Sequence, residues 1–234
     1  MPIAENIAMI RKRIDRAAER AARNPSEIAL MAVCKTHPAE TIREAFEAGQ
    51  RLFGENRVQE FAGKAPLLGD LAGAEFHMIG HLQSNKAKPA AELFMAVDSV
   101  DSRKLAERLN ASAASLGKTL DILIEINVGG EQAKSGMAPG SPELDEILGH
   151  YSEWTNLQLR GLMTVPPFTE DPEGARPYFR KLRELRDEIA RKNSSVALNQ
   201  LSMGMSHDFE VAIEEGSTCV RVGTAIFGER SKSQ

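Results

Sequence analysis

Lys35 is the residue of this sequence whose position points most directly to chemistry. It comes after six apolar residues, IALMAV at 28–33, and Cys34. Where a chain leaves an apolar wall, partial burial disfavours the charged form of a lysine. A neutral amine is the form that attacks a carbonyl carbon to make a Schiff base. A solvated lysine just past a strand would have the same neighbours, so Lys35 alone leaves both interpretations open.

Two glycine-bearing segments near the C-terminus have the residue types of a phosphate site. One segment, LSMGMS at 201–206, leads into a helix predicted to begin near Asp208. The other, RVGTAIFG at 221–228, follows the last predicted strand. Small residues with free backbone N–H groups before a helix form an anion site, and a serine hydroxyl adds a donor. Gly204 and Gly223 are equally explained as residues of tight turns, so both explanations stay open.

Other residues that often carry chemistry have ordinary structural explanations here. His77 lies within an apolar strand and is predicted to be a core histidine. Cys34 and Cys219 are predicted to be small buried residues, since two cysteines make no disulfide framework. The sequence contains neither a CxxC pair nor the spacing of zinc ligands. We therefore expect no metal site.

The composition excludes several classes of function. The 234 residues carry a formal net charge of -4 and a pI near 5.8, so no basic surplus favours nucleic acid. The N-terminus lacks the basic and apolar regions of a signal peptide, and no apolar run approaches the roughly 18 residues of a membrane span. We therefore expect a cytoplasmic protein with no nucleic-acid or membrane partner. A monomer is the expected state, although nothing in the sequence fixes it.

The elements that must position these residues alternate between strands and helices. An amphipathic helix with isoleucines at 3, 7, 10 and 14 ends before Asn24-Pro25-Ser26. Eight short apolar segments then alternate with helical ones, at Ile28, Leu52, Phe76, Phe94, Leu120, Leu157, Leu198 and Cys219. The alternation predicts an α/β fold: a single-domain TIM-type (β/α)8 barrel over 1–234 with an additional N-terminal helix. An open doubly wound sheet has the same alternation, although no GxGxxG follows the first strand.

Polar residues gather where these strands are predicted to end. The fourth strand is expected at 93–97, with Asp101 as the N-cap of the next helix, and the seventh at 198–202. In a barrel of parallel strands, all strand ends meet at the C-terminal rim, where such folds place their sites. We therefore expect the polar residues at these ends to meet, namely Lys35, Asn56, Lys134, Ser206, Arg221, Gly223 and Thr224.

Several ordered motifs resemble one family over nearly the whole chain, from about residue 3 to residue 230. The motifs are AVCKT at 32–36, FGENRVQE at 53–60, HMIGHLQSNK at 77–86, KSGM at 134–137, RGLMT at 160–164, and the two glycine-bearing segments above. Together they resemble the pyridoxal 5′-phosphate (PLP) homeostasis protein family, also called proline synthase co-transcribed homologues. The resemblance implies a barrel like the N-terminal domain of alanine racemase.

The resemblance also assigns roles to residues. It implies PLP in Schiff-base linkage to Lys35, with phosphate contacts from Ser206 and from the backbone at Gly223 and Thr224. Asn56 would contact the ring or its hydroxyl side, and Arg221 would face the pyridine nitrogen. Lys134 would be a second lysine near the mouth of the site. His207 departs from the acidic residue expected there, and its charge could modulate phosphate binding.

Two functions from different classes fit this resemblance. The first is a carrier or reservoir that supplies PLP to PLP-dependent apo-enzymes without robust catalysis, and the second is a PLP-dependent amino-acid racemase. Alanine racemases add a second domain whose partner-subunit tyrosine is the second base, whereas this chain ends at Gln234. An arginine at the pyridine nitrogen also weakens the ring as an electron sink. We therefore expect a carrier; a barrel that binds another phosphate compound is a third interpretation.

Overall fold

Eight parallel strands close into a barrel in this computed structural model, which describes residues 2–131, 135–193 and 196–228. Each strand pairs with the next along the chain, and the last pairs with the first. The strands are β1 Ala29–Val33, β2 Leu52–Glu55, β3 Glu75–Met78, β4 Ala96–Val100, β5 Leu120–Glu125, β6 Leu157–Met163, β7 Gln200–Met205 and β8 Cys219–Val222. The closed order confirms the predicted TIM-type barrel and excludes the open doubly wound sheet.

Helices surround the barrel. They are α1 Ile3–Arg20, α2 Ala39–Glu47, α3 Val58–Lys64, α4 Ala87–Leu93, α5 Arg103–Ser115, α6 Pro142–His150, α7 Arg176–Lys192, α8 Phe209–Glu214 and α9 Thr224–Phe227. The additional helix α1 buries its isoleucine face and packs against α2, α8 and α9. Short 3-10 turns cover Pro25–Glu27, Ala65–Leu67, Ser84–Lys86, Tyr151–Glu153 and Pro172–Ala175. No helix in the described ranges is both long enough and apolar enough to cross a membrane.

Alternation along the strands separates two sets of buried side chains. On β8, Val220 and Val222 belong to the apolar core between the barrel and its helices. Arg221 lies between them and is turned to the other side, into the barrel. Met31 of β1 is its partner in register and is fully buried. The two-residue period of a strand thus brings a cation into the barrel interior.

Two strand boundaries predicted from the sequence are wrong. The fourth apolar segment is divided: Leu93 ends α4, and β4 begins at Ala96 and continues through the buried polar residues Asp98 and Ser99. The seventh strand is not 198–202, because β7 continues through Gly204 to Met205. A shift in the β7–β8 register and a φ of 94° at Gly204 let this strand extend through residues that looked like a loop.

The predicted cap of the helix after β4 is wrong by one residue. Ser102 is the N-cap of α5, and its hydroxyl accepts a hydrogen bond from the amide of Leu105 at 3.4 Å. The carboxylate of Asp101 instead bonds the Nδ1 atom of His81 at 3.1 Å. Both Asp101 and Ser102 are residue types that cap helices. The contact of Asp101 with His81, in the loop after β3, leaves Ser102 as the cap.

Candidate functional site

A cavity of about 360 Å³ opens at the carboxyl ends of the strands. Six of the seven residues expected there from the sequence line it together, and the seventh, Lys134, lies outside the described residues. The lining residues are Val33, Lys35, Asn56, Ile79, Val165, Met205, Ser206, His207, Arg221, Gly223 and Thr224. These residues come from loops and strand ends that lie up to 191 positions apart in the sequence. Only closure of the barrel brings them together.

Lys35 enters this cavity from the end of β1. The amide of Cys34 still donates to the carbonyl of Gly54 on the neighbouring strand, at 3.0 Å, and the ladder ends there. Thr36 then takes a φ of 66°, and a turn closes when the amide of His37 donates to the carbonyl of Cys34 at 3.1 Å. Val33 and Ile79 line the same cavity, so the lysine side chain is half-buried beside apolar groups.

Asn56 follows β2 and presents an acceptor without a donor. Its Oδ1 atom is buried and has no hydrogen-bond partner among the described residues. Gly80, after β3, packs directly against the backbone of Asn56, and a Cβ at that position would collide with its carbonyl. The close glycine contact fixes the asparagine backbone, so its buried amide group is held in place beside the cavity.

Arg221 is the charged group deepest in the site, with 4% of its surface exposed. Its guanidinium donates to the hydroxyl of Ser202 and to the carbonyl of Thr164, both at 2.7 Å. Burial lowers the pKa of Arg221 from its ordinary value, and nearby acidic groups oppose that effect. Arginine has five N–H donors and no acceptor, so this side chain offers further donors to the cavity and no proton acceptor.

The segments after β7 and β8 meet at one corner of the cavity. The hydroxyl of Ser206 accepts a hydrogen bond from the amide of Ala225 at 3.5 Å, which joins the two segments. Gly223 is the N-cap of α9 and packs against β1, where a Cβ would lie 3.2 Å from the carbonyl of Val33. The corner therefore combines a hydroxyl with backbone amides of a helix beginning, which suits an anion.

The turn before α8 differs from the anion site predicted there. Asp208 is the N-cap of α8, and its carboxylate accepts a hydrogen bond from the amide of Met205 at 2.6 Å. Burial raises the pKa of Asp208. Because the protein's own carboxyl group takes this amide, Met205 offers no backbone donor to a ligand, whereas Ser206 and the start of α9 supply donors at this corner.

Comparison with known proteins bears on what this cavity holds. The family described as the N-terminal domain of alanine racemase matches residues 6–231. The pyridoxal phosphate homeostasis protein of Aquifex aeolicus (strain VF5) is 48% identical over 230 residues, which are 98% of this chain and 99% of that one. The chain belongs to the pyridoxal phosphate homeostasis protein family.

Other members of the pyridoxal phosphate homeostasis protein family agree in extent and fold. The member from Pseudomonas aeruginosa is 45% identical over 228 residues, covering 97% of this chain and 96% of that one. The structure of PipY from Synechococcus elongatus PCC7942 with PLP bound superposes with a TM-score of 0.84 at 39% identity, covering 97% of this chain and 100% of that one. The barrel is thus shared with a protein whose structure holds PLP.

His207 is the residue in which this family member departs from the pattern expected from the resemblance. It lines the cavity beside Ser206, but its Nε2 atom bonds the carbonyl of Glu170 at 3.0 Å. Its ring also lies 5.5 Å from the ring of Phe168, measured between centroids. Both contacts tie the imidazole to the loop after β6. The hypothesis that its charge modulates phosphate binding stays a prediction.

Sequence reasoning missed the residues that hold the cavity's side chains in place. Ser202 and Thr164 received no role from the sequence beyond their place in two motifs, and both bond Arg221. Glu60 and Lys64 of α3 were not singled out, although they contact the backbone on both sides of Lys35. Their spacing of four residues on a predicted helix, with glutamate first, was the available signal of an ion pair.

A second cavity, of about 600 Å³, lies at the opposite end of the barrel. It is lined by the first residues of several strands and by the pair His77 and Asp98, whose Nδ1 and Oδ1 atoms are 3.1 Å apart. This contact gives His77 a hydrogen-bond partner, as expected of a structural histidine, although its side chain is 15% exposed and lines this cavity. No group of three potential metal ligands occurs among the residues that the structure describes.

Proposed function

We propose that this protein binds PLP through Lys35 and acts in PLP homeostasis, as a carrier or reservoir that supplies the cofactor to PLP-dependent apo-enzymes. The convergence of Lys35, Asn56, Ser206, Arg221, Gly223 and Thr224 on one cavity carries this proposal. The names of the relatives and the PLP-bound PipY structure support it. In this proposal the single PLP-binding domain spans 1–234, and Lys134 is a second lysine near the mouth.

The residues present fit the chemical groups of PLP. The amine of Lys35 would hold the cofactor by a Schiff base to its aldehyde carbon, with loss of the aldehyde oxygen as water. The buried Oδ1 atom of Asn56, which has no donor among the described residues, would accept a hydrogen bond from the hydroxyl side of the ring. Val33 and Ile79 supply apolar surface for the ring itself. An amine, an unsatisfied acceptor and an apolar wall thus match three distinct parts of the cofactor.

The corner of the cavity where the segments after β7 and β8 meet fits the phosphate. Ser206 supplies a hydroxyl donor, and the first turn of α9 at Gly223 and Thr224 supplies backbone amides. Loops after strands seven and eight are the usual phosphate site of TIM barrels. The anion would therefore lie where the fold offers a hydroxyl and backbone amides as hydrogen-bond donors.

Arg221 favours storage of PLP over catalysis. PLP supplies an electron sink for carbanion chemistry when its pyridine nitrogen is protonated. A guanidinium donates hydrogen bonds and does not accept a proton, so an arginine facing that nitrogen holds it unprotonated. The two hydrogen bonds to Ser202 and Thr164 fix the guanidinium in the barrel. We therefore propose that catalysis on amino acids is absent or vestigial.

The visible absorption spectrum tests the proposal directly. Protein loaded with PLP should absorb near about 420 nm, as Schiff bases of PLP do, and borohydride should bleach that band and fix the cofactor to the chain. Lys35→Ala should abolish the band while the far-ultraviolet circular dichroism stays unchanged. Lys88→Ala on α4 serves as a control for loss of a lysine elsewhere. A folded Lys35→Ala protein with an unaltered band would reject the assignment to Lys35.

An amino-acid racemase is the second candidate, because the family that matches the chain is described as the N-terminal domain of alanine racemase. Both functions require PLP on Lys35, so the spectrum does not separate them, whereas turnover of alanine does. A barrel that binds another phosphate compound would give no band near about 420 nm with PLP. Recipient enzymes, the monomeric state and the cytoplasmic location stay predictions from the sequence.

A further inference from the structure

Behind Lys35 lies a partly buried ionic cluster that does not line the cavity. Glu60 and Lys64 stand one turn apart on α3, and the Nζ atom of Lys64 lies 2.8 Å from Oε1 of Glu60. The same Nζ atom lies 2.9 Å from Oε1 of Glu55, at the end of β2. The side chain of Glu55 has no exposed surface, and that of Lys64 has 12%. We call Glu60 and Lys64 the α3 clamp.

The α3 clamp holds both peptide groups that flank Lys35. Lys64 donates from Nζ to the carbonyl of Cys34 at 3.3 Å, and this carbonyl belongs to the peptide before Lys35. Glu60 accepts a hydrogen bond from the amide of Thr36 at 2.5 Å, and this amide belongs to the peptide after Lys35. A cation therefore fixes one peptide and a carboxylate fixes the other, each by a charge-assisted hydrogen bond.

The backbone between these two contacts needs such support. Thr36 has a φ of 66°, which is the left-handed region and is unfavourable for a β-branched residue. This conformation turns the chain away from β1 directly after Lys35. If the amide of Thr36 lost its acceptor, the segment would relax toward ordinary φ values, and the direction of the Lys35 side chain would change with it.

The charges of the α3 clamp are also suited to holding a backbone. Burial by itself would lower the pKa of Lys64, but its hydrogen bonds to Glu60 and Glu55 outweigh that effect and raise it. Lys64 therefore stays an ammonium, with three donors for three acceptors, and is no rival nucleophile for a carbonyl compound.

We propose that Glu60 and Lys64 are positioning residues for Lys35, which hold its backbone so that the amine meets the aldehyde carbon of PLP. The proposal rests on the proposed function, since it presumes that Lys35 bonds PLP. It differs from a purely structural role in one consequence. Loss of the α3 clamp should impair bonding to the aldehyde and leave binding of the ring and phosphate intact.

Two ligands separate these consequences. PLP carries the aldehyde, whereas 4′-deoxypyridoxine 5′-phosphate has the same ring and phosphate and no carbonyl carbon for Lys35. Glu60→Ala and Lys64→Met should each weaken PLP binding about tenfold, as expected for loss of a charge-assisted hydrogen bond. The dissociation constant of the deoxy compound should change less than about twofold. Glu60→Gln keeps an oxygen acceptor for Thr36 and should restore most of the PLP affinity.

A surface pair of the same kind serves as the control. Glu188 and Lys192 of α7 are also four residues apart and bonded at 2.6 Å, but they lie on exposed helix surface. Glu188→Ala and Lys192→Met should leave both ligands unaffected. Equal losses for PLP and the deoxy compound, or no loss for PLP in Glu60→Ala, would overturn the positioning role. If Lys64→Met does not fold, the comparison of Glu60→Ala with Glu60→Gln decides. A wild-type protein without a PLP band would instead reject the proposed function itself.

Discussion

Arg221 shows at the scale of one residue how the site tolerates a buried charge. Its guanidinium is buried inside the barrel, and two hydrogen bonds at 2.7 Å compensate part of the loss of hydration. The same two bonds leave it little rotational freedom. In the proposed function, a fixed donor that cannot accept a proton would hold the pyridine nitrogen of PLP and would not assist carbanion chemistry.

Ser206 should contribute to binding of the phosphate and to no other part of the ligand. Charge-assisted hydrogen bonds contribute roughly 1.5–3 kcal/mol each, so Ser206→Ala should weaken PLP binding about tenfold or more. Pyridoxal, which lacks the phosphate, should bind equally well to both proteins. Titrations monitored by absorbance give the two dissociation constants.

The control for Ser206 is an exposed serine remote from the cavity, Ser115 at the end of α5. Ser115→Ala should bind both compounds as the wild-type protein does. Equal loss of affinity for PLP and pyridoxal in Ser206→Ala would show that Ser206 contacts a different part of the ligand or supports the fold.

Glu125 should make the protein less stable as pH rises. Burial, and then the charge of Asp101, raises its pKa to about 7, and one of its oxygens has no hydrogen-bond partner in the described part of the chain. The unfolded chain releases this proton near pH 4.5, whereas the folded protein keeps it until about pH 7. The contribution of protonated Glu125 to the free energy of unfolding is therefore fully present below pH 4.5, and it is lost as pH rises through 7.

Glu125→Gln removes this ionisation, so its free energy of unfolding should fall less between pH 5 and pH 8. The difference from wild type should be at most about 3 kcal/mol, at 1.36 kcal/mol for each pKa unit. Urea denaturation at several pH values measures it, with the exposed Glu92→Gln of α4 as control. Parallel profiles of unfolding free energy against pH for wild type and Glu125→Gln would contradict a raised pKa of Glu125 in the folded protein.

At the scale of elements, α1 supports the phosphate corner from behind. The side-chain amide of Asn6, which is buried, donates from Nδ2 to the carbonyl of Ile226 at 2.8 Å. This carbonyl belongs to α9, whose last carbonyls have no partner within the helix. The additional helix thus completes the hydrogen bonding of the short helix that begins at Gly223.

Asn6→Ala should therefore destabilise the protein by about 1–3 kcal/mol, because a buried carbonyl loses its donor. Chemical denaturation measures this change, and PLP affinity should fall together with it because α9 carries part of the phosphate corner. Lys12→Ala replaces an exposed residue of the same helix and should change neither quantity. An Asn6→Ala protein as stable as wild type would show that α9 does not depend on α1.

At the scale of the whole molecule, the barrel should bind PLP without turning over amino acids at an enzyme-like rate. Racemisation needs proton transfer on both faces of the carbanion, and loss of a general base typically costs about 10²–10⁴-fold. An unprotonated pyridine nitrogen should add a further loss. A change in the visible spectrum when an amino acid is added would agree with the carrier function. Such a change needs only that the amine of the amino acid replace Lys35 on PLP.

The measurement is racemisation of D- and L-alanine by PLP-loaded protein, followed over hours by chiral chromatography. Turnover at or above about 1 s⁻¹, the low end for typical enzymes, would contradict the carrier. Exchange of the α-proton without racemisation would indicate one working base. Lys35→Ala is the control that separates turnover at this site from the slow reaction of free PLP.

Residue patterns along the chain predicted the order of the elements and the rim on which the site lies. Short apolar segments between helical ones specify parallel strands, and the ends of parallel strands in a closed barrel meet on one side. A residue that follows the end of a strand along the chain, such as Lys35 or Asn56, therefore lies at the rim regardless of the details of packing. The predicted boundaries failed at β4 and β7, where Asp98, Ser99 and Gly204 are polar or flexible residues inside a strand.

Which groups touch depends on how distant elements pack in the folded barrel. The amide of Thr36 meets Glu60, the carbonyl of Ile226 meets Asn6, and Arg221 meets Ser202 and Thr164. These contacts join residues between 19 and 220 positions apart. Their distances depend on strand register and on how each helix lies against the barrel, and no local pattern of residue types carries that information. Residue type and strand period predicted the side chains of the site, and packing between distant elements determined how they are held.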